Sequence, residues 1–238
     1  MNDWENYWNN VQQTGKEGQV FWDSVSEKAF LEDLLRFKNY LDLSLPIIDL
    51  GCGNGRQSRF LAKHFEKVIG VDVSESAIRL AKQETVDEDN IEYRVFDAVN
   101  TEDARALHDA YGDMNIYMRG VLHMIKRRDR RQFINNLELL LGNQGILYQL
   151  ELPSEAILYL RTLPEDIFSQ IPKITRRIGF NFEERALYYP DEKWKVLDQG
   201  QNVTISTVPL VNGKEGAVPA NFLILKPRTS DHSQQGDQ

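Results

Sequence analysis

From Pro46 onward, short apolar runs alternate with longer amphipathic stretches. The apolar runs have the length of buried strands and lie at 47–50, 67–72, 91–96, 114–118 and 146–150. Apolar residues recur at helical spacing in the stretches at 56–65, 75–85 and 128–141. Strands that alternate with helices form β-α-β units, so this pattern predicts an α/β fold with a parallel sheet.

The two ends of the chain depart from that alternation. Residues 24–43 have the spacing of an amphipathic helix that precedes the first strand. The region 152–190 contains Pro153, Pro164, Pro172 and Pro190 and predicts an insertion that caps the sheet. An alternating stretch at 203–207 and an apolar run at 222–225, joined across Asn212-Gly213, predict a terminal antiparallel hairpin.

These patterns divide the chain into three parts. We expect an N-terminal helical lid over 1–45 and a main domain over 46–228 that contains the insertion 152–190. The polar tail 229–238 is expected to be disordered, because it has no large apolar side chain to bury.

Composition narrows the functional classes. The 238 residues are 41% hydrophobic and 27% charged, and 28 Lys+Arg against 36 Asp+Glu give a net charge of −8. This charge disfavours nucleic-acid and membrane-surface partners. The single cysteine, Cys52, excludes an intramolecular disulfide framework, and neither a secretory signal nor a transmembrane run is visible. We therefore expect a soluble, cytoplasmic protein, monomeric or homodimeric, that acts on a small molecule.

The most informative segment is Pro46-Ile-Ile-Asp-Leu-Gly-Cys-Gly-Asn-Gly55, in which a strand runs into three alternate glycines before a helix. Glycines permit a tight turn and let a ligand approach the backbone, so a ligand is expected at this strand end. The dinucleotide pattern G-x-G-x-x-G is not met, because Arg56 stands at its third glycine. A nicotinamide dinucleotide is therefore disfavoured.

Two acidic residues follow at later strand ends. Asp72 ends the second strand, where a carboxylate can accept hydrogen bonds from both ribose hydroxyls of an adenosine-containing ligand. The alternative for Asp72 is a helix cap, although Ser74 already suits that role. Asp97 ends the third strand and is expected either to accept from an adenine amino group or to lie in a solvated loop.

The loop Asp49-x-Gly51-x-Gly53-x-Gly55, followed by Asp72 and Asp97, resembles the class I S-adenosylmethionine (SAM)-dependent methyltransferases. The resemblance covers about residues 30–151 and implies a doubly wound, Rossmann-like, seven-stranded and mostly parallel sheet with a C-terminal antiparallel hairpin. It implies that SAM is the cofactor. The methionine part of SAM would lie along Gly51, Gly53 and Gly55, with its amino group supported by Asp49. Asp72 would bind the ribose, and Asp97 together with the Ala98 backbone would bind the adenine.

A narrower resemblance concerns the segment Arg119-Gly-Val-Leu122 and the opening Trp4-x-x-x-Trp8. Both are similar to the thiopurine S-methyltransferase-like branch, although Met118 stands where that branch usually has an acidic residue.

Methyl transfer needs an in-line approach without water and no metal, so we expect no metal site. A hydroxyl acceptor benefits from a general base, for which His123 and Glu151 are candidates. The alternatives are that His123 faces the cofactor or packs at the helix start, and that Glu151 takes no part in the reaction. Arg119 is expected to bind an acceptor carboxylate or the SAM carboxylate, or to form an ion pair.

Three further features have competing interpretations. Trp4, Trp8, Phe21 and Trp22 are expected to close over the site or to pack in the core. Cys52 is interpreted as a small space-filler rather than a nucleophile. The basic run 126–131 is interpreted as a solvated helix face rather than a nucleic-acid patch.

The sequence thus predicts a SAM-dependent methyltransferase that acts on an S, N or O nucleophile of a small molecule. Two alternatives remain open. One is an enzyme that consumes SAM by intramolecular cyclisation or aminocarboxypropyl transfer, and the other is a non-catalytic SAM-binding module.

Overall fold

A computed structural model describes residues 3–15, 18–24, 27–156, 158, 161–162, 165, 179–209 and 215–228. The predicted disordered tail, the Asn212-Gly213 turn and much of the predicted cap lie outside these residues.

The described strands form one seven-stranded sheet in the order β3-β2-β1-β4-β5-β7-β6. Their bounds are β1 Ile47–Leu50, β2 Val68–Asp72, β3 Ile91–Val95, β4 Asn115–Arg119, β5 Leu147–Glu151, β6 Trp194–Pro209 and β7 Glu215–Pro227. The first five pair in parallel, and β7 pairs antiparallel with both β5 and β6. The predicted mostly parallel sheet with a C-terminal antiparallel hairpin is therefore confirmed.

Seven α-helices are described along the chain. They are α1 Asp3–Asn9, α2 Glu27–Phe37, α3 Arg56–Ala62, α4 Glu75–Glu84, α5 Thr101–Tyr111, α6 Arg130–Leu141 and α7 Arg185–Tyr188. Short 3₁₀ turns lie at Phe21–Ser24, Lys38–Tyr40, Leu122–Met124 and Phe182–Glu184. The hydrophobic pattern predicts α2, α3, α4 and α6, but it predicts neither α1 nor α5.

The two faces of the sheet carry separate cores. Leu147 on β5 packs with Phe133 and Leu137 of α6 on one face. Its neighbours Tyr148 and Leu150 point to the opposite face, where they pack with Phe30 of α2. Successive strand residues alternate between faces, so this arrangement decides which strand-end side chains meet which helices.

On the α2 face, the carboxylate of Asp33 joins the helix to the sheet. Asp33 is fully buried and accepts hydrogen bonds from the hydroxyls of Tyr117 (2.9 Å) and Tyr148 (2.7 Å). Its other donors are Arg36 Nη1 at 2.9 Å and Arg119 Nε at 3.0 Å. Two strands and one helix are thereby fixed by a single buried charge.

We predict that Asp33→Asn lowers the free energy of unfolding by about 3–5 kcal/mol, because it leaves the buried Arg119 cation without its counter-charge. Urea denaturation measures this difference. The control is Glu32→Gln on the same helix, whose more exposed carboxylate forms only a 3.7 Å ion pair with Arg36 and should change stability by less than about 1 kcal/mol. Equal effects of the two substitutions would contradict the assigned role of Asp33.

Candidate active site

The carboxyl ends of β1 to β4 open on a cavity of about 550 Å³. This is the edge of a doubly wound sheet at which ligands bind, and the volume lies in the usual range for a small-molecule site. The lining residues at these strand ends are Leu50, Gly51, Cys52, Gly53, Val71, Asp72, Val73, Phe96, Asp97, Ala98, Val99, Arg119, Gly120, Val121 and His123.

The loop after β1 has the left-handed backbone that its glycines predict. Gly51, Gly53 and Gly55 have φ values of 78°, 53° and 75°, which side chains with a Cβ adopt only with strain. Gly53 also has no room for a side chain, because an added Cβ would lie 2.6 Å from Trp8 Cζ2. The indole of Trp8 therefore rests directly on the glycine loop.

Asp72 lies where the sequence places it, at the cavity edge of β2. Its Oδ2 accepts from Gly53 N at 3.0 Å and its Oδ1 from Ser74 N at 2.9 Å. Burial raises the pKa of Asp72 to about 6, against the opposing effect of these amide donors. Ser74 caps α4 through a hydrogen bond from Ala77 N, so Asp72 is not needed as the cap.

The loop after β3 brings Asp97 and Ala98 to the same cavity. Asp97 is exposed, and its Oδ1 accepts from Val99 N at 3.0 Å. The carbonyl of Ala98 accepts from Asn136 Nδ2 of α6 at 3.0 Å. This loop is therefore fixed from behind while its acid stays accessible.

Asp49 is placed differently from the expectation, since it does not line the cavity. It points behind the loop, where its Oδ2 accepts from Ser58 Oγ at 2.6 Å. Burial raises its pKa to about 7, and the nearby Asp72 carboxylate adds to the increase. Any support that Asp49 gives a ligand passes through the loop and α3, because β1 directs its side chain there.

Glu151 and His123 form a buried pair at the end of β5. Glu151 Oε2 lies 2.6 Å from His123 Nδ1, and because a carboxylate only accepts, Nδ1 carries the proton. Glu151 Oε1 also accepts from the backbone N–H groups of Val121 (2.9 Å) and Leu122 (2.7 Å). His123 lines the cavity and its Nε2 is buried without a partner. Glu151 is not among the lining residues.

The structure thus brings the two candidate bases together but gives them unequal positions. Glu151 is enclosed by donors, among them groups of the lining residues Val121 and His123, and it does not line the cavity itself. The imidazole of His123 is oriented through Nδ1, while its Nε2 is buried and has no hydrogen-bond partner.

Arg119 forms the ion pair that was one of its three alternatives. Its Nε donates to Asp33 at 3.0 Å, Nη2 donates to the carbonyl of Ile205, and its guanidinium lies 5.1 Å from the ring centroid of Phe30. The residue still borders the cavity. Its charge is already balanced, so any contact with a ligand comes in addition to this structural role.

The aromatic N-terminal segment covers one side of the cavity, to which Trp4, Trp8 and Trp22 contribute. Helix α1 is held against α4 by Glu5, which accepts from Ser74 Oγ at 2.6 Å and from Ser76 Oγ at 2.6 Å. These hydrogen bonds lower the pKa of Glu5.

The interpretations of Cys52 and of the basic run 126–131 have different outcomes. Cys52 is buried beneath the loop against Ile78 and Tyr93, and burial raises its thiol pKa, as expected of a space-filler. The interpretation of 126–131 as a solvated face is wrong for Arg130, whose side chain is fully buried. The first turn of α6 turns this one cation inward.

Comparisons with known proteins match this architecture. A family model described as a methyltransferase domain matches residues 47–145. A crystal structure of a SAM-dependent methyltransferase from Anabaena variabilis is 35% identical, with a TM-score of 0.83, covering 95% of this chain and 94% of that one. The chain belongs to the SAM-dependent methyltransferases.

More distant members of this family are also similar. The ubiquinone biosynthesis O-methyltransferase of Coxiella burnetii is 33% identical over 133 residues, which are 54% of this chain. The match spans about half the length of that relative, 53%. The N-methyltransferase NodS of Bradyrhizobium japonicum, in complex with S-adenosyl-L-homocysteine, shares the fold at 14% identity, with a TM-score of 0.59 over 96% of this chain and 100% of that one.

SAM is the cofactor of this methyltransferase, and the cavity fits it. Gly51 and Gly53 present backbone without a side chain to the cavity, and Asp72 and Asp97 place carboxylates at two adjacent strand ends. Within the described residues, no helix combines the length and apolar character needed to cross a bilayer. No group of three or more potential metal ligands is found in that same part of the chain.

Sequence reasoning missed several residues that shape the site. Asp33 and Glu5 carry no motif, and only their positions on amphipathic helices, Asp33 beside Leu34 and Glu5 between two tryptophans, could have indicated a buried role. The basic run concealed Arg130, although helical spacing places it with Phe133, Ile134 and Leu137 on the buried side.

We predict that S-adenosylhomocysteine binding weakens about tenfold between pH 8 and pH 5, because protonation of Asp72 below pH 6 removes the carboxylate acceptor. Calorimetric dissociation constants test this. Asp72→Asn should bind at least about tenfold more weakly at pH 8 and lose the pH dependence.

Asp49 also titrates in this range, so Asp49→Asn assigns the effect. This variant should keep the pH dependence of the original chain, and its loss would attribute the titration to Asp49 instead.

Proposed function

We propose that this enzyme transfers the methyl group of SAM to a hydroxyl oxygen of a small molecule, with His123 as the general base. The observation that carries the proposal is the His123–Glu151 pair. It leaves Nε2 buried, without a partner and on a side chain that lines the cavity. A base of this kind is of most use to a hydroxyl, whose proton must leave as the new bond forms.

The roles of the cofactor-contacting residues follow from their positions. Gly51, Gly53 and Gly55 give the methionine part access to the backbone, and Asp72 accepts from the ribose hydroxyls. Asp97 and the backbone of Ala98 meet the adenine. Asp49 supports the loop from behind through Ser58 rather than by direct contact. When bound, SAM supplies a methyl group on a positively charged sulfur, which makes the methyl carbon electrophilic.

His123 acts on the acceptor. Its Nε2 would take the hydroxyl proton of an acceptor whose oxygen attacks the methyl group that bound SAM would supply. The resulting imidazolium is stabilised by Glu151, whose carboxylate lies 2.6 Å from Nδ1. Glu151 is therefore a positioning residue, and its hydrogen bond with Nδ1 holds the imidazole in one tautomer.

The remaining wall provides the dry, partly aromatic surroundings that such a displacement needs. Trp4, Trp8 and Trp22 line one side, which supports the proposal that 1–45 forms a lid. Ile205 and Val218 of the terminal hairpin line another part. The similarity to an O-methyltransferase of small-molecule biosynthesis supports an oxygen acceptor, and the composition supports a cytoplasmic location.

We predict that turnover releases S-adenosylhomocysteine together with a methylated acceptor, because His123 activates an external nucleophile. Mass spectrometry of reactions with a panel of phenols and alcohols tests this. Methylthioadenosine as the by-product would indicate attack at another carbon of SAM, and SAM binding without any turnover would indicate a binding module.

We predict that His123→Asn lowers kcat by about 10²- to 10⁴-fold for a hydroxyl acceptor, with the Kd of S-adenosylhomocysteine within about twofold of the original. Glu151→Gln should lower kcat by about 10- to 10³-fold and alter its pH profile, since the amide cannot stabilise the imidazolium.

The matched control is His64→Asn, at an exposed histidine outside the cavity, which should leave kcat unchanged. Retention of kcat within about twofold by His123→Asn would contradict the general-base role.

A further inference from the structure

Four buried nitrogen atoms of the described residues have no hydrogen-bond partner, and three of them have no role in the reaction just described. His123 carries one, Arg130 carries two, Nη1 and Nη2, and Gln149 carries one, Nε2. Arg130 is 0% exposed and Gln149 is 1% exposed. Burying a cation and an amide without acceptors is costly, so such an arrangement indicates that a ligand supplies them.

Arg130 does not line the cavity itself but adjoins two residues that do. It begins α6, directly after Asp129, which lines the cavity. Its Nε donates to the carbonyl of Ile125, another lining residue, at 3.1 Å. The guanidinium carbon lies 5.5 Å from the ring centroid of Tyr188. The Nη1 and Nη2 donors of the guanidinium have no hydrogen-bond partner among the described residues.

Gln149 approaches the same region from the sheet. It lies on β5 two residues before Glu151 and hence on the same face. Its Oε1 accepts from Tyr189 Oη at 2.5 Å, so only its Nε2 donor is unused. Tyr188, beneath the guanidinium, and Tyr189, on the amide, are consecutive residues. Burial raises the pKa of Tyr189, and the Glu151 carboxylate and the Arg130 cation act on it in opposite directions.

We propose that Arg130 and Gln149 bind a carboxylate of the acceptor, so that the substrate is a small hydroxy acid. The proposal rests on the function proposed above, since it concerns the acceptor of that reaction. The guanidinium and amide N–H groups match the two oxygens of a carboxylate. A phosphate dianion suits the site less, because the single positive charge of Arg130 would have to balance two negative charges close to the Glu151 carboxylate. The acceptor hydroxyl then lies at His123 and its acid group at Arg130.

The test measures binding to the full chain saturated with S-adenosylhomocysteine. Calorimetry compares 2-, 3- and 4-hydroxybenzoate and 4-hydroxyphenylacetate, each with its neutral primary amide. At least one acid should bind ten times more tightly than its amide or better. Arg130→Lys, which keeps the charge but loses the paired donors, should remove most of that preference without changing the affinity for S-adenosylhomocysteine.

Gln149→Glu gives a second readout that does not depend on a weakened fold. Its carboxylate keeps an acceptor for Tyr189 and provides Arg130 with a counter-charge, so the melting temperature should rise while the acid preference disappears. The matched control is Arg127→Gln in the same segment, an exposed arginine paired with Glu184 at 3.0 Å, which should keep the preference.

The outcomes separate the two proposals. Equal binding of acids and amides, binding of neither, or loss of the preference in Arg127→Gln as well would overturn the carboxylate site. Methylation of neutral phenols without an acid preference would leave the methyltransferase function standing and overturn this inference. An acid preference that depends on Arg130, without methylation of any acceptor, would support the site and overturn the proposed reaction.

Discussion

The buried carboxylate of Glu151 is the constraint on which the catalytic end of the sheet depends. An ionised acid removed from water must be surrounded by donors, and the turn after β4 supplies them. The backbone N–H groups of Val121, Leu122 and His123 and the ring Nδ1 of His123 all point at its two oxygens. The path of the chain after β4 and the orientation of the imidazole therefore depend on each other. A change in either would leave the Glu151 carboxylate or the backbone N–H groups around it without hydrogen-bond partners.

The same principle operates on the opposite face and in the glycine loop, with different results. Asp33 is balanced by Arg119, Arg36 and two tyrosine hydroxyls, and it makes a rigid joint. Asp49 and Asp72 accept hydrogen bonds from neutral donors, Ser58 Oγ for the first and backbone amides for the second, and burial raises the pKa values of both carboxyl groups. The charged partners of Asp33 stabilise the scaffold, whereas the charges of Asp72 at the cavity and of Asp49 behind the glycine loop respond to pH.

The sequence allowed most of the sheet to be predicted because hydrophobic runs and turn residues act locally. The glycine loop, Asp72 and the hairpin belong to this class. Helix α5 was missed because its buried side is small, with Ala104 and Leu107 as its buried residues, and its start depends on an Asn100 cap. Glu151 and His123 were identified as candidates, but their division of labour depends on pairing across strands, which no local pattern records. Arg130 was misread for a different reason: its helical spacing with Phe133, Ile134 and Leu137 indicates the buried side, but the charges of its neighbours were given more weight.

The contact between Trp8 and Gly53 bears on how fast the enzyme can exchange ligands. The indole of Trp8 rests on the glycine loop and forms part of the cavity wall, and its helix is attached through Glu5 to two serine hydroxyls. If the cofactor lies on that loop, its entry and the release of S-adenosylhomocysteine require α1 to leave α4 and return. The lifetime of the three hydrogen bonds that Glu5 accepts from Ser74 and Ser76 then sets an upper limit on the number of catalytic cycles per second, however fast methyl transfer itself is.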